Sequence, residues 1–166
     1  MVSTAQADPL GRICPQANHI RKVNPRDLGT DQGGPNATLT HRILRRGLPY
    51  GPPLPAGATD DPTQRERGLL FLAYQASILN QFEFLTASWM NDRAKPTPQF
   101  APLSGAGFDM IVGQNPDPRD RTRSCLLTRG NTAQQISTNL QWVIPTGGGY
   151  FFAPSRSAIS DVLSES

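Results

Sequence analysis

The sequence predicts an α+β domain in which an antiparallel sheet is backed by helices. Three observations predict this class: an alternation of polar and apolar residues over 38–46, an apolar run over 68–75 that leads directly into an amphipathic helix, and two short strand-like segments followed by a helix near the end. Hydrophobic residues make up 37% of the 166 residues. A domain of this length buries roughly 70% of its unfolded surface, so a single core is expected.

The first 36 residues predict an irregular arm with one helical turn at about residues 18–22. They are rich in proline and glycine and show no hydrophobic period, and Cys14-Pro15 and Asn24-Pro25 restrict the chain to extended or turn conformations. Such a segment does not need a histidine for packing. A ligand or catalytic role for His19 therefore weighs as much as a structural one.

The first strand is predicted over residues 38–46, and Gly47 with the proline-rich segment after it is expected to end it. The alternation places four residues on one face: Leu39, His41, Ile43 and Arg45. His41 is interpreted as a packed or partly exposed strand residue. Arg45 places a permanent charge among apolar neighbours and then needs an anionic partner. The commoner alternative is a strand-end arginine whose aliphatic stem carries the charge to solvent.

The second strand and the helix after it are predicted from an uninterrupted apolar pattern. Residues 68–75 are apolar on both faces, which is typical of a central strand covered on both sides. A helical stripe follows at Ile78, Phe82, Leu85 and Trp89. Residues 93–139 show little periodicity and are interpreted as a long loop. Strands are then expected at 140–144 and 149–153, with a short helix after Ser155.

Composition and motifs exclude several classes of function. The formal net charge is only +3, and the arginines are scattered along the chain, often beside aspartate, so no nucleic-acid partner is expected. Cys14 and Cys125 do not have the spacing of a disulfide framework or a zinc site. No phosphate loop, nucleophile elbow or metalloprotease helix occurs. The chain shows no signal-peptide pattern and no apolar run of transmembrane length, so a cytoplasmic location is expected.

Several segments, taken together and in order, resemble a known family. They are Cys14-Pro15 with His19-Ile20-Arg21-Lys22-Val23-Asn24-Pro25-Arg26, His41-Arg42-Ile43-Leu44-Arg45-Arg46-Gly47-Leu48-Pro49-Tyr50-Gly51, Arg67-Gly68-Leu69-Leu70-Phe71, Gln81-Phe82-Glu83-Phe84, Gly107-Phe108-Asp109, and Gly148-Gly149-Tyr150-Phe151-Phe152-Ala153-Pro154-Ser155. Each segment alone is weak evidence, but together the segments cover most of the chain and follow the order of the family. The sequence resembles the C-terminal half of the larger dye-decolorising peroxidases.

This resemblance implies a ferredoxin-like antiparallel sheet backed by helices that holds a haem b, with an arm over residues 1–36 and the haem-pocket domain over 37–166. By resemblance, His19 is the proximal iron ligand, and Asp109 is the carboxylate that accepts the imidazole N–H. Arg45 is the distal catalytic arginine, and Leu69 and Phe71 line the distal side. The implied reaction is the one-electron oxidation of phenolic or dye substrates by hydrogen peroxide.

One motif of the family does not occur in this sequence. Members carry a G-x-x-D-G motif whose aspartate moves the peroxide proton, whereas this chain contains no Asp-Gly dipeptide. The sequence therefore predicts a truncated or split form, completed by a separate N-terminal half or by a homo-oligomer. The alternatives are a catalytically inactive haem-binding or structural remnant and, from outside the family, a plain α+β domain without a cofactor.

Overall fold

The computed structural model describes residues 8, 12–15, 17–23, 29–58, 67–95, 107–115, 117, 119–129 and 132–164. The helices in this part are α1 (His19–Lys22), a 3-10 helix (Pro35–His41), α2 in two π-type segments (Ile78–Glu83 and Leu85–Met90), and α3, in which a turn of α-helix (Arg156–Ala158) continues as a π-type segment (Ile159–Leu163). The strands are β1 (Leu44–Tyr50), β2 (Gly68–Tyr74), β3 (Arg123–Arg129) and β4 (Thr132–Thr138). The Asn24-Pro25 turn predicted in the arm lies outside the described residues.

The strands form two antiparallel ribbons, so the predicted α+β class with antiparallel pairing is confirmed. β1 pairs with β2, with Arg45 opposite Ala73 and Gly47 opposite Phe71. β3 pairs with β4, with Cys125 opposite Ile136. Each ribbon has two strands in the described part of the chain. A two-stranded ribbon buries little by itself, so the position of the core depends on the helices and loops.

The start of the first strand was predicted wrongly. Residues 35–41 form a 3-10 helix that begins at Pro35, and β1 starts only at Leu44. A 3-10 helix has three residues per turn, so Thr38 and His41 lie on one side of it: Thr38 is buried, and the His41 ring stacks on Phe84 at 4.0 Å. Gly47 does not end the strand, because it pairs with Phe71 inside the ribbon.

The second strand pair was also predicted in the wrong place. Residues 140–144 and 149–153 have no regular secondary structure, and the second ribbon instead lies at β3 and β4, within the predicted loop. Apolar side chains of the expected strands, Trp142 and Phe152 among them, are exposed. The helix expected after Ser155 is present, and its first turn is capped where Ser155 Oγ accepts a hydrogen bond from Ala158 N at 3.1 Å.

β2 is a strand as predicted, but its faces are not covered by the described residues. Leu69 is 63% exposed and Phe71 is 43% exposed on one face, while Leu70 and Leu72 are exposed on the other. The prediction of a strand covered on both sides is therefore wrong for this part of the chain. In the described residues, the β1–β2 ribbon presents apolar side chains on both faces.

The core lies around the C-terminal segment of α2 rather than around the sheets. Of the predicted stripe on this helix, Leu85 and Trp89 are buried, whereas Ile78 is exposed. A π-type turn holds more residues than an α turn, so a stripe at α-helical spacing does not stay on one side of α2. The other buried apolar residues are Ala17, Phe108 and Cys125. In the described residues, no helix is long and apolar enough to cross a membrane.

Candidate functional site

The short helix α1 carries His19 at its first position. Asn18 is its N-cap: the side chain accepts a hydrogen bond from Ile20 N at 3.2 Å, and the carbonyl accepts one from Lys22 N at 2.8 Å. A helix of four residues is not stable alone, because nucleation costs more than so few hydrogen bonds return. The orientation of His19 therefore depends on what α1 contacts.

His19 makes a close contact with Asp109, a residue 90 positions later in the chain. The imidazole Nδ1 lies 2.6 Å from Asp109 Oδ2. The Asp109 side chain is fully buried, whereas the His19 side chain is 27% exposed. When Nδ1–H donates to the carboxylate, the other ring nitrogen, Nε2, keeps its lone pair. This tautomer suits metal binding.

The loop after Asp109 holds the other carboxylate oxygen. Asp109 Oδ1 accepts hydrogen bonds from Ile111 N at 2.9 Å and Val112 N at 3.1 Å. Burial raises the pKa of Asp109, but the hydrogen bonds from His19 and from these two amides outweigh it and hold the pKa below its ordinary 3.8. Asp109 is therefore ionised at neutral pH and accepts from every partner named here.

Contacts with the end of α2 and with β3 fix the Asp109 loop. Asp109 N donates to Met90 O at 3.3 Å, and Gln114 N donates to Asn91 Oδ1 at 2.8 Å. The buried Arg123 of β3 donates from Nη1 to Gly113 O at 3.0 Å. Gly113 has no room for a side chain, because a Cβ there would overlap the carbonyl oxygen of Asp109. The carboxylate is thus fixed by backbone geometry.

Arg45, Leu69 and Phe71 form a second group on one face of the β1–β2 ribbon. Residues opposite each other in an antiparallel pair, and alternate residues of one strand, share a face. Phe71 is opposite Gly47, and Leu69 is opposite Pro49, so both share the face of Arg45. The expected neighbours Leu39 and Ile43 lie before β1, so that prediction was wrong, and β2 supplies the apolar face instead.

The structure brings these residues into two groups and does not join them. Within the described ranges, no hydrogen bond or ion pair links Arg45 to His19 or Asp109, and no cluster of three metal-ligating side chains occurs. His41, the second histidine, is packed: it stacks on Phe84, and its Nδ1 lies 2.5 Å from Asn80 O. It was predicted to be packed on a strand, but it ends the 3-10 helix.

Sequence reasoning missed three buried cations around the site: Arg21, Lys22 and Arg123. Arg21 donates to Asp8 Oδ2 at 3.1 Å and to Cys14 O at 2.7 Å. Lys22 donates from Nζ to Asp92 O at 2.8 Å and to Lys95 O. Burial lowers the pKa of Lys22 to about 8, although Asp109 and Asp92 act in the opposite direction. Charged side chains are almost never fully buried, so nothing in the sequence marks these residues.

Acid is expected to destabilise the fold. The pKa of Asp109 is depressed on folding, so its ionised form contributes stability above the ordinary 3.8, and that contribution is lost as the pH falls below this value towards the folded-state pKa. Asp8 and Asp31 shift in the same direction. Urea unfolding at a series of pH values should show a falling free energy of unfolding in acid. The fall should be smaller for Asp109→Asn, and an equal fall in both proteins would contradict the assignment.

Comparisons with known proteins identify the family of this chain. A family model described as "Dyp-type peroxidase, C-terminal" matches residues 4–108. The dye-decolorizing peroxidase msp1 of Mycetinis scorodonius is 38% identical over 163 residues, which cover 91% of this chain and 30% of that protein. The dye-decolorizing peroxidase AauDyP1 of Auricularia auricula-judae is 41% identical over 154 residues, which cover 91% of this chain and 29% of that protein.

Solved structures give the same result for the fold. A crystal structure of a triple mutant of the Auricularia auricula-judae enzyme has a TM-score of 0.72 and 36% identity, covering 91% of this chain and 33% of that one. A dye-decolorizing peroxidase in complex with 2,6-dimethoxyphenol has a TM-score of 0.67 and 36% identity, covering 90% of this chain and 32% of that one. The chain spans about 30% of the length of the curated relatives it matches. It belongs to the Dyp-type peroxidase family, as the sequence resemblance predicted, and it matches the C-terminal part of that family.

Proposed function

We propose that this chain is the haem-binding part of a peroxidase that uses hydrogen peroxide to oxidise phenolic or dye substrates. The observation that carries the proposal is the contact between His19 Nδ1 and the buried Asp109 carboxylate. Family membership supports it, and one matching structure is described as a complex with a phenol, 2,6-dimethoxyphenol.

The residues present fit a haem iron. A neutral imidazole with one nitrogen bound to a carboxylate and the other free is the usual form of an axial histidine. His19 would have this form when its Nδ1–H donates to Asp109, and its ring is partly exposed, while Asp109 is shielded from water. A bound haem would supply the iron that binds peroxide and accepts electrons from the substrate. His19 would hold the iron, and Asp109 would keep the imidazole electron-rich and correctly oriented.

The second group, on the β1–β2 ribbon, would act on the peroxide. A guanidinium is a cation with five N–H donors, so Arg45 would offer these donors to the negative charge that develops on peroxide oxygen when the O–O bond breaks. Leu69 and Phe71, on the same face, would exclude water from that place. The exposure of these apolar side chains supports a further protein surface as their cover.

That cover is proposed to be a separate N-terminal half or a second copy of the chain. The chain spans about 30% of its curated relatives. The exposed position of Arg45 also fits a second candidate function, an inactive haem-binding or structural remnant. The two candidates agree on the role of His19 and differ on turnover.

Titration with hemin tests the role of His19. Wild-type chain is expected to give a Soret band typical of histidine-bound haem, and His19→Ala is expected to lose that band. His41→Ala is the matched control, because His41 is the only other histidine and its ring packs against Phe84; it should bind hemin like the wild type. Identical spectra for wild type and His19→Ala would overturn the assignment.

Peroxide and a phenolic reductant then separate the two candidates. Turnover by the hemin-loaded chain, or turnover that appears only after addition of the N-terminal part of a full-length relative, supports the peroxidase proposal. A histidine-bound haem spectrum without turnover in either mixture supports the remnant. Arg45→Leu provides a further check, because it is expected to abolish turnover and to leave the hemin spectrum unchanged.

A further inference from the structure

Lys22 is a fully buried lysine one helical turn after His19. Its exposed fraction is 0%, and its Nζ donates to the backbone carbonyls of Asp92, at 2.8 Å, and of Lys95. An ammonium group has three N–H donors and no acceptor. Two hydrogen bonds from Lys22 Nζ go to carbonyls of a segment about 70 residues away. Burial of a cation is costly unless such partners compensate it.

These carbonyls lie just beyond the end of α2 at Met90. They belong to the segment that follows the C-cap of α2, Asn91. The loop that carries Asp109 is attached to the same end, through Asp109 N to Met90 O at 3.3 Å. One end of α2 therefore anchors both the carboxylate and the helix that bears His19.

The short helix α1 is held from two sides. Arg21 bonds to Asp8 and Cys14 on the side of the arm, and Lys22 bonds to the segment after α2. Lys22 and Asp109 also attract each other electrostatically. Because α1 cannot maintain its own orientation, the Lys22 contacts determine how the imidazole meets the carboxylate.

We propose that Lys22 is a positioning residue that anchors α1 to the end of α2 and thereby holds the His19 ring against Asp109 in its Nδ1-protonated form. The Nδ1-protonated form leaves Nε2 free. That Nε2 then binds the haem iron rests on the proposed function. Lys22 itself contacts neither substrate nor cofactor. Its effect on the site passes entirely through the orientation and tautomer of His19.

Nitrogen-15 NMR of the imidazoles in the haem-free chain tests the proposal. The chain has only two histidines, so His41 serves as an internal reference in every spectrum. Wild type is expected to show His19 as one Nδ1-protonated form, with widely separated shifts for the two ring nitrogens. Lys22→Met keeps the length of the side chain but removes the ammonium group. It is expected to bring the two His19 shifts together and to leave those of His41 in place.

The control is Arg156→Met, which also replaces a long cationic side chain with methionine but at an exposed position in α3. This variant should keep the wild-type imidazole shifts. Lys22→Gln is the second test variant, because it keeps an NH₂ donor group and removes the charge. Convergence of the His19 shifts in a folded Lys22→Met or Lys22→Gln chain supports the proposal.

Three results would overturn it: a mixture of His19 tautomers in wild type, a single Nδ1-protonated form in either folded Lys22 variant, or collapse of the whole amide spectrum in both variants. The last result would assign Lys22 to the stability of the core alone. These measurements need no haem. Failure of wild type to bind hemin through His19 would therefore refute the proposed function while leaving the positioning result intact.

Discussion

Asp109→Asn is expected to weaken hemin binding by roughly tenfold to a hundredfold, the usual effect of removing the carboxylate that supports a histidine ligand. Every described hydrogen-bond partner of the Asp109 carboxylate is a donor: His19 Nδ1–H on one oxygen, and the amides of Ile111 and Val112 on the other. Asparagine has the same size but only one acceptor oxygen. Its NH₂ group must therefore face either the imidazole or the two amides, and one set of donors loses its partner.

Asp117→Asn is the matched control for this experiment. Asp117 is exposed, and its Oδ1 accepts a hydrogen bond from Arg119 N at 2.9 Å in a local turn. The same chemical change at this position should leave hemin affinity unchanged. Affinity can be measured by titrating the Soret band of each variant at fixed pH. If Asp109→Asn binds hemin as tightly as Asp117→Asn, the contact between His19 and Asp109 does not support a ligand.

The sequence identified His19 for a physical reason, whereas Asp109 came only from the resemblance. His19 lies in a segment without hydrophobic periodicity, and such a segment gives a histidine no packing role. Asp109 is 90 residues away from its partner, and no local pattern links residues at that separation. The resemblance named the pair, and the structure brings the two side chains to 2.6 Å.

Arg45 is exposed and shares a face with apolar side chains, but not with those that the alternation predicted. Alternation predicted that it shares a face with Leu39 and Ile43, but the strand begins after both. Its apolar neighbours are Leu69 and Phe71, which the register of β1 against β2 brings to the same face. Alternation places residues on one face only within the bounds of a strand, and Leu39 and Ile43 lie before β1. The neighbours of Arg45 on β2 depend on the register between the two strands, which the sequence of one strand does not determine.

The elements with strong local signals were predicted, and those that depend on distant partners were not. β2 has an apolar run, α2 has an amphipathic pattern, and α3 begins at a serine cap. β3 was missed because its apolar run is only three residues long, and β4 because it is rich in threonine and glutamine. The available signal was the Gly130-Asn131 dipeptide between two seven-residue runs, since Gly-Asn is typical of two-residue hairpin loops. Apolar content alone favoured residues 140–153 instead.

Gly107→Ala is expected to lower the free energy of unfolding by about 2–4 kcal/mol, from the cost of a left-handed backbone plus the cost of overpacking. Gly107 has a φ of +81°, and it bridges to Cys125 of β3. A Cβ at this position would overlap the carbonyl oxygen of Ser124 and approach Cys125 Cα to 2.9 Å. Both neighbours are backbone atoms of a strand, so neither can move aside without disturbing the ribbon.

Gly57→Ala separates the two contributions, because Gly57 has nearly the same φ, +80°, but nothing within 4 Å of an added Cβ. It should show only the backbone cost, roughly 1–2 kcal/mol. The excess in Gly107→Ala, measured from urea unfolding of both variants, is the overlap with β3. Gly107 lies two residues before Asp109, and its N–H donates to Arg93 O at 3.0 Å, so the same variant should also displace the carboxylate that His19 contacts. Equal losses in the two variants would mean that β3 does not approach Gly107 closely.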